Sequence, residues 1–332
     1  MRRVALAGLA LVLLGPLIWW HWPVAALDAR FPAQSCARIA LTDAETGQPI
    51  LGVEDVARMG NGSLLLSADD RLGSDGGASG VYVYHPDEGG KLVPLIADVR
   101  PHGIAVTTDG RFLAVIDRNT DPVAVIIGEI VDGRFIETDR HTAPGLCRAN
   151  DLDWFFGGAA AGLLVTQDRS SCGTSIADLV GAQTGRLLAL APGRGVTSDM
   201  GGYAFPNGIS GLWIAETRAN RIAYFRDTNG GPDTIAALSV PGGPDNLTLD
   251  GNDALVAGLH PSLIRLGLYR YGWTDHAPSR IARVSYPDGE VEILFDDPEG
   301  RVFSGATVGI LHDDRLIIGS VRDRGILVCE AG

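Results

Sequence analysis

The stretch "PGGPDNLTLDG" (241–251) places an acid beside an amide directly before an apolar alternation. Asp245 and Asn246 are typical of turns, because both side chains bond back to their own backbone. The triplet Asn246-Leu247-Thr248 also matches an N-glycosylation acceptor. A third interpretation is a metal site, because a carboxylate and an amide carbonyl both offer oxygen to Ca²⁺. This stretch alone leaves the three interpretations open.

Acid and amide side chains recur in the same way before other apolar stretches. They are Glu54-Asp55 in "GVEDV", Asn150-Asp151 in "CRANDLDWF" and Asn207 in "FPNGI". Each residue taken alone is typical of a turn or a strand end, whereas the repetition indicates a shared role. A zinc site is disfavoured, because no His/Cys cluster has zinc-ligand spacing.

Short strands are the elements that would position these residues. After Cys36, apolar alternations such as "RFLAVIDR" (111–118) are separated by Gly, Asp, Asn and Pro, which is typical of strands and hairpin turns. A strand-turn-strand unit begins near residues 61, 109, 160, 210, 252 and 313, mostly about 50 residues apart. This period predicts an all-β fold, a β-propeller of about six blades. A β-sandwich or paired β-domains is the alternative, which the lack of a linker-like composition shift disfavours.

A propeller would bring the acids and amides together. The first strand of each blade lines the central tunnel, so residues at matching strand ends converge on one axis. Two of these acids and the three amides, converging there, would form an oxygen-rich cage with a net charge of about −2, which suits Ca²⁺. The propeller prediction therefore favours the metal interpretation over the turn.

The overall charge and the missing motifs exclude other classes of function. The chain has 27 Lys and Arg residues against 40 Asp and Glu residues, a net charge of −13. This balance argues against nucleic acid or an anionic membrane surface as the main partner. No G-x-S-x-G motif is present in the sequence, which disfavours a serine hydrolase.

The first 30 residues predict export. Arg2 and Arg3 precede an apolar run over 4–20 that ends in two tryptophans. We expect residues 1–30 to be an uncleaved hydrophobic helix that anchors the protein to the membrane, facing the periplasm or the extracellular space. A signal peptide cleaved after 24–26 is the alternative. Residues 36–332 are the expected propeller domain.

Four cysteines fit an oxidising compartment. An even number of cysteines in an exported protein indicates two bridges, although the sequence does not fix their pairing. A bridge from Cys36 to Cys329 would make sense only in a ring-like fold whose ends meet. Such a bridge would then lock the closure of a propeller.

Several motifs together resemble the paraoxonase/arylesterase family, within the wider group of gluconolactonase-type propellers. They are "PHGIAVTTDG", "CRANDLDWF", "FPNGI", "PDNLTLD", "AGLHP" and "FSGATVGILHDDRLIIGS". The resemblance covers most of residues 36–332 in order. It implies a six-bladed propeller, closed by its N- and C-terminal strands, that holds two calcium ions and hydrolyses lactones and aryl esters.

The resemblance also implies which residues hold the two ions. The implied ligands of a catalytic calcium are Glu54, Asn150, Asn207, Asp245 and Asn246. The implied ligands of a structural calcium are Asp55, Asp151 and the carbonyl of Ile104. Cys36 and Cys329 match the family's terminal disulfide, and a retained hydrophobic N-terminus is also common in the family.

One departure from the family affects the expected mechanism. Animal members of the family pair the histidine of "PHG", here His102, with a second histidine, at whose position this chain has Arg118 or its neighbour. Our first candidate for a general base is His102, because histidine titrates near working pH. The alternatives are that His102 orients a ligand, or that Glu54 or Asp245 acts as the base.

Other residues near the expected site have open roles. Asp168 is expected to lie near the tunnel mouth or in an exposed turn, and His260 to line the site or pack between blades. Cys147 and Cys172 are expected to form an extra bridge. The segment 263–275 is expected to contact lipid or an apolar substrate, or to be a surface strand.

The sequence thus predicts a calcium-dependent hydrolase of small lactones or esters. In this class of enzyme the ion polarises the carbonyl group for attack by water. One alternative is a non-catalytic propeller that binds a partner through its top face. The other alternative is an enzyme similar to strictosidine synthase, which is not expected to carry the full amide-rich cage.

Overall fold

We describe a computed structural model of the chain over residues 23–73, 75–157, 160–173, 183–191, 193–228 and 231–331. The hydrophobic helix predicted near the N-terminus lies outside these ranges, and that prediction stays open. No helix within the described ranges combines the length and the apolar character needed to cross a bilayer.

The described strands form six four-stranded antiparallel sheets, which we call blades 1 to 6. Ahead of blade 1 lie β1 (Cys36–Ile39) and β2 (Thr42–Asp43). Blade 1 contains β3 (Val53–Arg58), β4 (Leu64–Ala68), β5 (Gly80–Tyr84) and, after the short β6 (Lys91–Leu92), β7 (Pro94–Ala97). Blade 2 contains β8 (Pro101–Val106), β9 (Phe112–Asp117), β10 (Ala124–Val131) and β11 (Arg134–Thr142).

The next three blades repeat the same arrangement. Blade 3 contains β12 (Ala149–Gly157), β13 (Ala160–Gln167), β14 (Gly185–Ala191) and β15 (Gly195–Tyr203). Blade 4 contains β16 (Pro206–Ser210), β17 (Trp213–Glu216), β18 (Arg221–Thr228) and β19 (Gly231–Ser239). Blade 5 contains β20 (Gly243–Leu249), β21 (Ala254–His260), β22 (Ser279–Ser285) and β23 (Val291–Asp297).

Blade 6 closes the ring with strands from both ends of the described chain. It contains β24 (Ala306–His312), β25 (Arg315–Ser320) and β26 (Ile326–Glu330), with β1 as its outermost strand. Cys36 lies opposite Cys329 in the β1–β26 pair, and the two form a disulfide. The predicted six-bladed propeller and its terminal closure are therefore confirmed.

The first strands of the blades form the inner ring. Each first strand contacts the first strand of the next blade, and β24 contacts β3 to complete the circle. The second strands begin within three residues of the six unit starts predicted from the sequence spacing. The β-sandwich alternative is therefore wrong, because six separate sheets are arranged around one axis.

The hydrophobic core lies between neighbouring blades. Strands that are covered on both faces have nearly continuous apolar sequences, and every residue of β4 and β21 is buried. In one such core Leu64, Leu66 and Tyr82 of blade 1 pack with Val308 and Ile317 of blade 6. Each apolar side chain buried in this way contributes about 1.5–3 kcal/mol, which holds the inner strands in fixed positions.

The only α-helix among the described residues is α1 (Leu263–Arg270), in the connection between β21 and β22. Ser262 caps its N-terminus and accepts a hydrogen bond from the backbone N–H of Arg265. The expectation of a surface strand over 263–275 is therefore wrong for this part. In the described ranges, three short 3₁₀ turns lie at Ala33–Ser35, Pro144–Leu146 and Thr217–Ala219.

A second disulfide joins Cys147 and Cys172, a pairing that the sequence left open. It links the segment that precedes β12 to the segment that follows β13. Disulfides persist in oxidising environments, so two of them indicate that the protein folds in such a compartment.

Candidate functional site

Every predicted ligand lies on the first strand of a blade, at or beside an irregularity in the pairing of that strand. The register between first and second strands shifts at the same place in all six blades, for example between Pro244 and Leu247 in blade 5. A β-bulge of this kind breaks the strict alternation of side chains and re-aims the extra residue. Adjacent residues such as Asp245 and Asn246 are consequently both buried near the axis.

Two glycines of the sequence motifs allow the inner strands to approach one another closely. A Cβ atom on Gly103, in "PHG", would lie 2.4 Å from Oδ1 of Asp151. A Cβ atom on Gly208, in "NGI", would lie 2.4 Å from the carbonyl oxygen of Asp245. Any larger residue at either position would push neighbouring blades apart at the level of the predicted ligands.

One group of buried side chains, which we call the upper layer, contains the residues implied as ligands of a catalytic calcium. They are Glu54, Asn150, Asn207, Asp245 and Asn246. The side-chain nitrogen of Asn246 donates to the carbonyl oxygen of Glu54 at 2.7 Å, and Oγ1 of Thr307 donates to the same oxygen at 2.8 Å. These two bonds fix the orientation of the Asn246 amide and tie blades 5 and 6 to blade 1.

The two carboxylate oxygens of Asp245 have different surroundings. Its Oδ2 pairs with Nε2 of His260, whereas Oδ1 is buried and has no hydrogen-bond partner among the described residues. A buried carboxylate oxygen without a partner costs free energy unless a cation or a donor meets it. Because His260 contacts Asp245, the structure supports the first of the two expectations for His260, that it lines the site.

Glu54 contacts two basic groups. Nη2 of Arg71 and Nδ1 of His102 both contact Oε2 of Glu54, and these two nitrogens lie 2.8 Å apart. Burial, followed by the charges of Arg118, Arg71 and Arg270, holds the pKa of His102 well below its usual 6.5. The imidazole is therefore neutral at pH 7. Nothing in the sequence around Arg71 indicated this contact.

A second group, which we call the lower layer, consists of carboxylates that accept backbone hydrogen bonds. Asp55 accepts from the N–H groups of Val56 and Ile104, both at 2.8 Å. The pKa of Asp55 is raised to about 7, mainly by burial, with a contribution from the charge of Asp245. Ile104 thus reaches Asp55 through its N–H group, and the ligand role of its carbonyl stays a prediction.

Asp151 and Asp153 continue the lower layer in blade 3. Asp151 accepts from the N–H groups of Leu152 and Ile209, both at 2.8 Å. Burial, with the charge of Asp55, raises the pKa of Asp151 well above its ordinary value. Burial also raises the pKa of Asp153 to about 6. A cavity of about 390 Å³ reaches these carboxylates from the end of the tunnel where Trp154 lies.

The chemistry of these side chains fits a hard divalent cation. The donors are carboxylate and amide oxygens, and the buried Oδ1 of Asp245 has no hydrogen-bond partner among the described residues. Within the described ranges no three His, Cys, Asp or Glu side chains form a metal-binding cluster by themselves. Any ion bound in the upper layer would therefore need the amide oxygens as well as the two carboxylates.

Two further predicted residues lie at the rim of the upper layer. Asp168 is buried and pairs with Nε of Arg169 at 3.3 Å, so it is not an exposed turn acid. Nη2 of Arg118 donates to the carbonyl oxygen of Ala149 at 2.8 Å, next to Asn150. The position at which the family resemblance led us to expect a second histidine is thus close to the site and carries a guanidinium group.

Comparison with known proteins supports the fold. No protein-family model matches the chain, and no curated sequence matches it significantly. Among solved structures, a gluconolactonase from Xanthomonas campestris has a TM-score of 0.53 and 18% identity, covering 93% of this chain and 97% of that one. A luciferin-regenerating enzyme has a TM-score of 0.53 and 15% identity, covering 89% and 96%.

A protein of unknown function from Bacteroides thetaiotaomicron is similar to the same degree. Its TM-score is 0.54 at 10% identity, and the match covers 91% of this chain and 75% of that chain. At identities this low, the similarity establishes that the chain shares the six-bladed propeller fold with these proteins. The reaction has to be inferred from the side chains of this chain.

Proposed function

We propose that this protein is a calcium-dependent hydrolase of lactones or aryl esters. The observation that carries the proposal is the upper layer, in which two carboxylates and three amides on the innermost strands of four blades are all buried. The unpaired Oδ1 of Asp245 supports it, because a cation is the simplest partner for that atom. One protein with the same fold is a gluconolactonase, which supports a small lactone as the substrate.

Each of the two layers would hold its own calcium ion. The ligands of a catalytic calcium would be Glu54, Asn150, Asn207, Asp245 and Asn246. The ligands of a structural calcium would be Asp55, Asp151 and the carbonyl of Ile104. When bound in the upper layer, calcium supplies a Lewis acid that polarises the substrate carbonyl.

The side chains of the upper layer have distinct tasks in the proposed reaction. Nδ1 of His102 faces Glu54 and Arg71, which leaves Nε2 to take a proton from the attacking water. A neutral imidazole is ready for this step at pH 7 without first losing a proton. His260 holds Asp245 in position through its Nε2 atom. The proton is returned to the leaving alcohol when the ester C–O bond breaks.

The proposal also covers the cellular compartment of the protein. The two disulfides agree with an exported protein. We propose that residues 1–30 anchor it to a membrane with the propeller in the periplasm or the extracellular space, or are removed on export. Protease protection of the full chain in membrane vesicles, followed by N-terminal sequencing, tests both alternatives.

The test of the reaction is hydrolysis by the full chain before and after EGTA, with calcium then restored. The substrates are short- and long-chain lactones and phenyl acetate, and calcium binding is measured in parallel by calorimetry. We expect activity to disappear with EGTA and to return with calcium. In Asn246→Ala we expect both activity and binding to weaken, whereas Asn252→Ala, at an exposed turn, is the matched control.

Two outcomes would contradict the proposal in different ways. Full hydrolysis in EGTA would exclude the calcium mechanism. Calcium binding without hydrolysis of any substrate would instead favour a non-catalytic propeller that binds a partner.

A further inference from the structure

Three arginine side chains lie around the upper layer, and the reaction proposed above assigns no role to them. Arg71 follows β4 in blade 1, Arg118 follows β9 in blade 2, and Arg270 ends α1 in blade 5. Arg71 contacts His102, Arg118 reaches the residue before Asn150, and the chain just after Arg270 packs against Leu72. Loops from three different blades thus bring positive charge to one side of the site.

Direct contacts define where these arginines lie. Nη2 of Arg71 is 2.8 Å from Nδ1 of His102, and Nη2 of Arg118 is 2.8 Å from the carbonyl oxygen of Ala149, the neighbour of Asn150. The chain just after α1 packs against the loop that follows Arg71, since a Cβ atom on Gly272 would lie 3.1 Å from Cδ1 of Leu72. The segment directly after Arg270 therefore lies against Leu72, the neighbour of Arg71 in the chain.

The nearby acids neutralise only part of this charge. Arg100 pairs with Asp69 and donates two hydrogen bonds of 3.1 and 3.2 Å to its carboxylate. Arg169 pairs with Asp168, and Glu54 is shared by Arg71 and His102. Arg118 and Arg270 form no ion pair with any carboxylate of the described residues, although the charges of Asp168 and Asp69 still act on Arg118.

The arginine side chains also have unused hydrogen-bonding capacity. The side chain of Arg71 is only 8% exposed, and its Nε atom is buried with no hydrogen-bond partner among the described residues. Burial and the charge of Arg270 lower the pKa of Arg118 to about 9. Keeping like charges together out of water costs free energy, which a bound anion would offset.

From this geometry we infer that the substrate is an ester or lactone bearing an oxyanion group, a carboxylate or a phosphate monoester, which Arg118 and Arg270 bind beside Arg71. The inference rests on the proposed function and specifies its substrate class. Guanidinium groups suit this task because their planar fork pairs with the two oxygens of such an anion. The anion takes no part in the bond changes: water adds to the carbonyl carbon, and the ring C–O bond breaks.

The test compares neutral and charged substrates of the same ring. The first pair is γ-butyrolactone and its γ-carboxylate, and the second pair is γ-hydroxymethyl-γ-butyrolactone and its phosphate ester. We expect the full chain with calcium to prefer a charged member by about tenfold or more in kcat/KM. The better of the two charged members identifies the anion.

Variants connect this preference to the arginines. We expect the ratio of kcat/KM for charged over neutral substrate to fall to about one in Arg118→Gln and in Arg270→Gln. The matched control is Arg315→Gln, which removes an arginine that pairs with Asp87 in the outer part of the propeller and should keep the ratio. A wild-type ratio near one would overturn the inference and leave the hydrolase intact.

A binding measurement separates the two proposals. Calorimetric titration with 2-hydroxyglutarate, the ring-opened product of the carboxylated lactone, needs no hydrolysis. Binding that weakens about tenfold or more in Arg118→Gln and Arg270→Gln supports the anion site even if no lactone is hydrolysed. Equal binding by wild type and both variants would overturn it.

Discussion

The upper and lower layers of the tunnel use neighbouring residues of the same strands for different purposes. Glu54 of the upper layer contacts side chains, whereas Asp55, the next residue, accepts two backbone N–H groups. Asp245 of the upper layer has a buried oxygen with no partner in the described part of the chain, whereas both oxygens of Asp151 in the lower layer have one. Both layers thus join blades to each other, but only the upper layer also has a carboxylate oxygen left to bind a ligand among the described residues.

The bulges in the first strands make this division possible. A regular strand would point Glu54 and Asp55 to opposite faces. The register shift between Val53 and Asp55 breaks that alternation, so that both side chains are buried close to the axis at different depths. Asp55 then reaches the N–H group of Ile104 in blade 2, and Asp151 reaches that of Ile209 in blade 4.

The strongest test of the comparison is Asp245→Asn. The substitution keeps the size of the side chain but removes the charge of the unpaired oxygen. We expect kcat/KM for lactones to fall on the order of 10³-fold, because charge stabilisation at the reacting centre is lost. Steady-state kinetics at saturating calcium measures the effect.

A folding measurement completes that test. Circular dichroism and the thermal midpoint of Asp245→Asn should show an intact propeller. A variant that keeps more than about a tenth of the wild-type kcat/KM would mean that the upper layer is not the reacting centre.

The next largest effect is expected when the Cys36–Cys329 disulfide, which closes the ring of blades, is removed. In Cys36→Ser/Cys329→Ser, a cross-link between residues 293 apart in sequence is lost from the unfolded state. We expect the free energy of unfolding to fall by about 3–5 kcal/mol, with kcat of the folded protein within about twofold of wild type. Denaturant unfolding and kinetics well below the midpoint measure both quantities.

This variant is compared with one that lacks the second disulfide. Cys147→Ser/Cys172→Ser opens a bridge between residues only 25 apart, beside Asn150 of the upper layer. Here we expect a smaller loss of stability and a larger loss of activity. The reverse order of effects would contradict the separation between ring stability and site geometry.

In the lower layer, Asp151→Asn tests whether the carboxylate has a structural task. One amide oxygen cannot replace two carboxylate oxygens, so the N–H group of Leu152 or of Ile209 would face an amide N–H₂ group. We expect a loss of about 2–3 kcal/mol in the free energy of unfolding. Asp314→Asn, at an exposed position, is the control, and an unchanged midpoint in Asp151→Asn would contradict the assignment.

The sequence predicted the layers only in part. The propeller, the strand spacing and the Cys36–Cys329 closure followed from periodicity, the cysteine positions and the family resemblance. The positions of the bulges did not, because a one-residue shift in pairing has no distinct signature in a short apolar alternation. The family resemblance supplied the assignment of Asp245 and Asn246, which composition and spacing had left open.

Contacts that depend on the conformation of loops could not be predicted from the sequence. Arg71 lies in a polar stretch that indicates only a turn, and its contact with Glu54 depends on how the connection from β4 to β5 folds back. The helix that carries Arg270 was overlooked because its eight residues are too few for periodicity to distinguish from a strand. Ser262, a typical N-cap residue, was the one available signal.

The smallest expected effect concerns Thr307, which supports the upper layer and which the sequence did not reveal. Its Oγ1 and the side-chain nitrogen of Asn246 both donate to the carbonyl oxygen of Glu54, so the three residues share one acceptor. Thr307→Val keeps the shape and removes one donor, but Asn246 still satisfies the acceptor. We therefore expect only about 1 kcal/mol of lost stability.

The effect of Thr307→Val on activity would show how tightly the upper layer depends on its support. With one of two bonds left, the segment around Glu54 and Asn246 can shift, and displacement of catalytic groups by small distances lowers rates. We expect kcat/KM to fall about three- to tenfold, well below the effect of Asp245→Asn. Thr248→Val is the matched control, since its Oγ1 bonds to the carbonyl of Gly309 below the upper layer. Equal losses of activity in both variants would mean that the layers are not separate functional units.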